Sequence, residues 1–183
     1  HETGDGAHPF QAVSAINEKR STSSFATANL LDLMGLSSGI PGSGQKRHII
    51  GPSGKLFDFE SETELEYLNW ECHKWFERTR DHTTSGEYSL KVTLPVGQYP
   101  GINFLEIDKD WSAYRKLKMN VTNQEAEPFI FHIRIDDKKS GWEYADRFDR
   151  NFTISHGVNT ITVPLDSLKA NITPRSMDLQ NIK

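Results

Sequence analysis

The chain has 183 residues, of which 36% are hydrophobic, and its formal net charge is −4; one well-buried domain with a short appendage is the expected organisation at this size. Its 21 basic residues are scattered rather than clustered, which argues against a nucleic-acid partner. No apolar run approaches the ~20 residues that cross a bilayer, so we expect no membrane span.

Residues 1–54 are expected to form a flexible extension. Residues 1–20 are polar, and residues 35–54 are rich in glycine and contain two prolines, a composition typical of linkers. Between them, "SFATANLLDLMG" contains good helix formers and ends in Gly35, a residue type that commonly caps helix C-termini. We therefore predict one short helix near residues 22–34 inside this extension.

Residues 55–183 carry recurring strand patterns punctuated by Gly, Pro, Asn and Asp. In "PFIFHIRIDD" (128–137) the alternation places Phe129, Phe131, Ile133 and Ile135 on one face. Gly157 in "HGVN" supplies a hairpin turn between two further strands. This spacing predicts an all-β fold, an antiparallel β-sandwich over residues 55–183.

Aromatic and planar polar side chains, the types that contact ligands, are concentrated in the loop "GWEYADRF" (141–148) and on the second face of the strand at 128–137. Aromatic faces stack on flat or apolar ligand surfaces, and planar Arg and Asp groups form directed hydrogen bonds. With one residue from "NWECHKWF" (69–76), the candidates are Trp142, Tyr144, Asp146, Arg147, His132, Arg134, Asp136 and Trp75. The open alternative is that the aromatics are core residues and that the Asp–Arg pairs are internal ion pairs.

Several strings together resemble a known family: "DFE" (58–60), "TTSGEYSLKV" (83–92), "DWSAYRKL" (110–117), "RIDDK" (134–138), "YADRF" (144–148), "HGVNTITVPL" (156–165) and "PRSMDLQNI" (174–182). In this order they resemble a galactose-binding-like β-sandwich of the jelly-roll type, as found in carbohydrate-binding modules. The resemblance covers residues 56–182. It implies a jelly roll and a carbohydrate partner, with Trp111 in a turn that closes one end of the sandwich.

The resemblance also implies a structural calcium ion, the only cofactor that we expect. The carboxylates at the matching positions are Asp58, Glu60 and Glu87, and Ca²⁺ prefers oxygen ligands. Family members usually continue beyond the "DLQNI" string with one or two further strands. We therefore expect either that the sequence is a piece of a longer chain, or that the sandwich is completed by its own N-terminal arm or by a strand from a neighbouring chain.

Three sequons are present, at Asn120, Asn151 and Asn171, and they are consistent with export in an organism that glycosylates. Thr beside Asn is equally an ordinary feature of strands and turns. The expected location is secreted, extracellular or at the cell surface, with the periplasm as a further option.

The chain has no recognisable catalytic motif: no G-x-S-x-G, H-E-x-x-H or phosphate-binding loop. We therefore expect a non-catalytic carbohydrate-binding module of an exported protein. The alternative is a structural subunit of an extracellular assembly or filament, in which an open sandwich edge takes a strand from a neighbouring copy.

Overall fold

The computed structural model describes residues 13–16, 24–35, 55–69, 76–94, 101–105, 107–141 and 144–183. Two short 3-10 helices occur in these ranges, at Glu62–Tyr67 and Tyr144–Asp146. The remaining regular structure consists of strands: β1 (Val13–Ile16), β2 (Ser24–Gly35), β3 (Lys55–Phe57), β4 (Leu68–Asn69), β5 (Phe76–Thr79), β6 (Ser89–Leu94), β7 (Gly101–Phe104), β8 (Tyr114–Asn123), β9 (Phe129–Ile135), β10 (Phe148–Ile154) and β11 (Gly157–Pro164).

The strands form two open sheets in which every described pairing is antiparallel. One sheet has the order β10-β9-β1-β7-β4. The other has the order β11-β8-β2-β6-β5, and β3 pairs with β2 beside it. The fold is therefore mostly β and antiparallel, as the sequence predicts.

Alternation in β9 follows the predicted faces. Phe129, Phe131, Ile133 and Ile135 are all buried, whereas Ile130 on the opposite face is 38% exposed. These four residues join core residues from the other sheet, including those of β8 and β11, in one apolar cluster. Burial of this row in the apolar cluster fixes the register of β9, because a slip by one residue would exchange its two faces.

The prediction of a short helix near residues 22–34 is wrong, because residues 24–35 form a strand, the longest that the structure describes. Its ladder with β8 shifts register between Asn29 and Leu31, so a bulge interrupts the two-residue alternation. Leu30 and Leu31 are consecutive apolar residues, so the sequence here does not alternate, and the surrounding residues are good helix formers. Pairing with β6 on one side and β8 on the other overrides that local preference.

Both N-terminal strands occupy interior positions, β1 between β9 and β7 and β2 between β8 and β6. Residues 13–16 and 24–35 are therefore part of the sheets, and the prediction of a flexible extension is wrong for these two ranges. The sequence leads us to expect that the N-terminal arm covers an open edge of the sandwich, but the structure places β1 and β2 inside the sheets rather than at an edge. No helix in the described part of the chain is long and apolar enough to cross a membrane.

The C-terminal segment, residues 175–183, runs along one end of the molecule. Ile182 is buried, and its amide donates to the carbonyl of Lys109 while the Lys183 amide donates to that of Asp136. Trp111 lies beneath this segment, 3% exposed, and its indole nitrogen donates to the Asp108 carbonyl over 2.8 Å. Trp111 is thus a buried residue at this end, as the resemblance implies.

Candidate functional site

Polar side chains line one face of the five-stranded sheet where β9 ends and β10 begins. Arg134 and Asp149 lie opposite each other in the ladder between these strands, so both project from the same face. The Arg134 guanidinium binds Asp136 through two hydrogen bonds of 2.5 and 3.2 Å, and Arg147 donates to Asp149 over 3.3 Å. Two guanidinium groups and two carboxylates thus form a charge-balanced group.

His132 lies next to these charges on β9. Its Nε2 contacts Asp149 Oδ1, and neither ring nitrogen makes an aligned hydrogen bond within the described residues. Burial lowers the pKa of His132 below its ordinary value, with Arg147 and Arg134 acting in the same direction and Asp149 opposing them. The ring is therefore neutral near pH 7 and offers one donor and one acceptor.

Asn103 on β7 adds a further polar group to this face. Its neighbour Ile102 is a core residue, so Asn103 points away from the core. Asn103 is 2% exposed, and its Oδ1 has no hydrogen-bond partner among the described residues. Buried polar atoms are nearly always satisfied by protein, water or ligand. We call His132, Arg134, Asp136, Arg147 and Asp149 the polar cluster; Asn103 is separated from it by β1.

Tyr144 stands beside the polar cluster and is 49% exposed. The Arg147 guanidinium carbon lies 5.3 Å from the centroid of its ring, within cation–π range. The backbone amides of Ile172 and Thr173 both donate to the carbonyl of Ala145, over 3.0 and 2.9 Å. The turn that carries Tyr144 is thereby fixed against residues 171–173.

Arg175 fixes the same turn from the other side. Its Nε donates to Asp146 Oδ1 over 2.6 Å, and its Nη2 donates to the Asp146 carbonyl over 2.8 Å. Its Nη1 donates to Asp137 Oδ2 over 2.7 Å. The hydrogen bond from Arg175 lowers the pKa of Asp146. Asp146, predicted as a ligand contact, is therefore engaged inside the protein and holds the turn in place.

The three carboxylates predicted to bind calcium have partners within the protein. Glu60 Oε1 accepts the amides of Glu87 and Tyr88 over 2.9 and 3.0 Å. Asp58 Oδ2 lies 3.6 Å from Lys55 Nζ, and Glu87 Oε2 lies 3.8 Å from Arg80 Nη2. Nowhere in the described ranges do three His, Cys, Asp or Glu residues form a group that could hold a metal ion.

The three sequon asparagines lie in different surroundings. Both ends of the Asn120 amide are engaged, because its Nδ2 donates to Thr84 over 3.0 Å and its Oδ1 accepts from Thr160 over 2.9 Å. Asn151 is exposed on β10, and Asn171 is exposed in the turn after Ala170. The described geometry thus leaves Asn151 and Asn171 as the accessible acceptors.

The structure brings together five of the predicted ligand residues: Tyr144, Arg147, His132, Arg134 and Asp136. Trp142 and Trp75 lie outside the described residues. Sequence reasoning missed Asp149 and Asn103. Asp149 could have been found by pairing the alternation of residues 148–154 with that of the preceding strand, whereas no local signal marks Asn103.

A scan against protein-family models found no match, and searches of curated proteins and of solved structures found none either. Function is therefore argued from the geometry of this site.

Proposed function

We propose that the protein is a non-catalytic carbohydrate-binding domain of an exported protein. The observation that carries the proposal is the half-exposed ring of Tyr144, held on a braced turn beside the Arg147 guanidinium. A fixed aromatic face loses little conformational freedom when a sugar ring stacks on it. The resemblance to carbohydrate-binding modules supports the same reading.

The polar cluster complements the aromatic ring chemically. Sugar hydroxyls both donate and accept hydrogen bonds, and the cluster offers guanidinium donors beside carboxylate acceptors. The two guanidinium groups are paired with two carboxylates. The binding of an uncharged sugar beside them therefore leaves each charge with its partner. The ring nitrogens of His132 and the Asn103 oxygen are buried, so the groups of this face that reach a hydroxyl are the partly exposed guanidinium groups of Arg134 and Arg147.

A jelly-roll sandwich is the finer fold that we propose for the two sheets. One apolar cluster contains inward-facing residues of both sheets, as in two sheets packed face to face. In that arrangement the polar cluster lies on the outer surface, and the Tyr144 turn lies at its rim. The site is then built mainly on two strands, which position side chains better than loops do.

The proposal predicts that Tyr144→Ala weakens glycan binding by about tenfold or more, a change of ~1.4 kcal/mol, because the stacking face is lost. The measurement is retention of the protein in affinity gels that contain a panel of polysaccharides. Arg147→Lys should also weaken retention, since Lys keeps the charge but loses the planar donor fork.

The matched control is Val158→Ala, which shortens an exposed apolar side chain on β11. It should be retained like the parent protein, and thermal melts should show all variants folded. Absence of retention of the parent by every glycan in the panel, or equal losses in Val158→Ala and Tyr144→Ala, would contradict the proposal.

A further inference from the structure

Strands β1 and β2, here called the arm (residues 13–35), lie in different sheets. Each is therefore held on both sides by strands of residues 55–183, here called the body. β1 pairs with β9 and β7, and β2 pairs with β8, β6 and β3. The body supplies every described ladder in which the arm takes part.

Without the arm, each sheet of the body would split into two pairs of strands. The strands on either side of each gap would be ~10 Å apart, twice the usual spacing, and their facing N–H and C=O groups would lose their partners. Buried apolar residues flank the gap in the six-stranded sheet: Leu90, Val92, Leu117, Met119 and Val121. Such a surface strongly favours the addition of a strand.

The register shows which strand this gap accepts. Ala26 and Ala28 stand opposite Val92 and Leu90, and Leu31 and Leu33 stand opposite Met119 and Leu117. The ladder with β8 changes register between Asn29 and Leu31, so a bulge lies within the strand. The arm of any second copy has the same sequence and can form the same register.

The connection between arm and body is much longer than folding within one molecule requires. Asp32 and Lys55 are direct partners in the β2–β3 ladder, so a loop far shorter than the one present could join the two strands. Instead residues 36–54 connect them, a length that can extend to ~65 Å. That reach exceeds the ~35–40 Å breadth of a body of this size.

We propose that the arm is exchangeable, and that the two gaps in the body also accept the arm of a second copy of this chain. The inference does not rest on carbohydrate binding. Because the ladders are the same within one molecule and between two, the connection decides which form prevails. The tethered arm has an effective concentration in the millimolar range, so single molecules prevail when dilute and exchange grows as concentration rises.

Exchange can be trapped with cysteines, since Phe25 and Thr93 are direct partners in the ladder between β2 and β6 and opposed residues lie within disulfide range. In a Cys72→Ser background, full-length Phe25→Cys and Thr93→Cys chains are unfolded, mixed, refolded together at high concentration and oxidised. A disulfide between position 25 of one chain and position 93 of the other, identified by peptide mapping of the dimer band and formed in preference to the 25–25 and 93–93 links, indicates that the arm of one copy lies in the body of the other. We expect this disulfide-linked heterodimer.

Two matched variants complete the test. The double variant Phe25→Cys/Thr93→Cys should crosslink within one molecule, which shows that the arm occupies the gap. Deleting residues 37–52 from both single variants leaves three residues between Gly35 and Lys55, too few to reverse the chain while Met34 and Gly35 stay paired with β8. The deletion should therefore raise the heterodimer yield at least about tenfold, because a short strained connection favours exchange between copies.

Three results would overturn the proposal. The first is a double variant that does not crosslink, and the second is a mixture without heterodimer beside a double variant that does crosslink. The third is a shortened chain that gives no more heterodimer than the full connection.

Discussion

Arg175, in the C-terminal segment, binds residues of the stretch between β9 and β10. It binds Asp137 after β9, Asp146 in the Tyr144 turn, and the hydroxyl of Ser140. The Asp137 carboxylate is fully buried and also accepts the amides of Ser140 and Asp178. A buried charge that is paired and hydrogen-bonded in this way is costly to break, so this residue pair fixes the end of the sheet.

Asp137 should therefore make the protein sensitive to acid. Burial alone raises the pKa of Asp137, but hydrogen bonds from Arg175, the Asp178 amide and Ser140 outweigh it and lower the pKa from 3.8 to about 2. A carboxyl group whose pKa is lower when folded contributes stability above the unfolded value and loses it as the pH falls. The contribution is roughly 2 kcal/mol, and it should disappear between about pH 4 and pH 2.

The test is the free energy of unfolding in urea at several pH values. Asp137→Asn should be less stable than the parent at pH 7, and its stability should fall less steeply between pH 4 and pH 2. Asp166→Asn changes an exposed carboxyl group and should leave the acid dependence almost unchanged. An identical acid dependence in the parent and in Asp137→Asn would refute this role.

At the scale of single elements, β9 contributes to both the core and the candidate site. Its inward row packs in the apolar cluster, while His132 and Arg134 face outward. The two-residue period of a strand makes this division possible. Packing of the inward row in the core therefore holds β9 in place, whether or not a ligand is bound to its outward row.

Substitutions on the two faces of β9 should have very different costs. Phe131→Ala removes a buried aromatic ring and should lower the free energy of unfolding by ~3–5 kcal/mol. Ile130→Ala shortens a side chain that is 38% exposed and should cost less than ~1.5 kcal/mol. Chemical denaturation measures both variants. Similar losses at the two positions would mean that the faces are assigned wrongly.

Strands with unbroken alternation could be predicted from the sequence, and β2 could not. In β8 and β9 every second residue is apolar, so the period is visible without knowledge of the partners. In β2 the bulge after Asn29 shifts the phase, and Ala, Leu and Met suit a helix equally well. The evidence for a strand lies in β6 and β8, more than fifty residues along the chain.

Only the part of the candidate site that lies on one strand could be predicted from the sequence. His132, Arg134 and Asp136 are visible as the polar face of one strand. Asp149 joins them only because the β9–β10 register places it opposite Arg134, and Asn103 lies on β7, beyond an N-terminal strand. Register between distant strands depends on tertiary packing, which local sequence patterns do not encode.

For the whole molecule, the C-terminal segment connects the ends of both sheets. The Trp111 amide, just before β8, donates to the Leu179 carbonyl over 2.7 Å. Asp137, just after β9, forms a bridge with Ile182. β8 and β9 belong to different sheets, so residues 175–183 hold the sheets together at the end where Trp111 is buried.

Ile182→Ala should therefore weaken both sheets at once. Ile182 is 1% exposed, and its truncation should cost ~2–5 kcal/mol. The measurement is native-state hydrogen exchange, in which amides of β8 and β9 should lose protection by the same free energy, because one cooperative unit opens. Gln180→Ala, at an exposed position two residues away, should leave the protection of both strands unchanged. Loss of protection in β9 alone would show that the segment belongs to one sheet and does not connect the two.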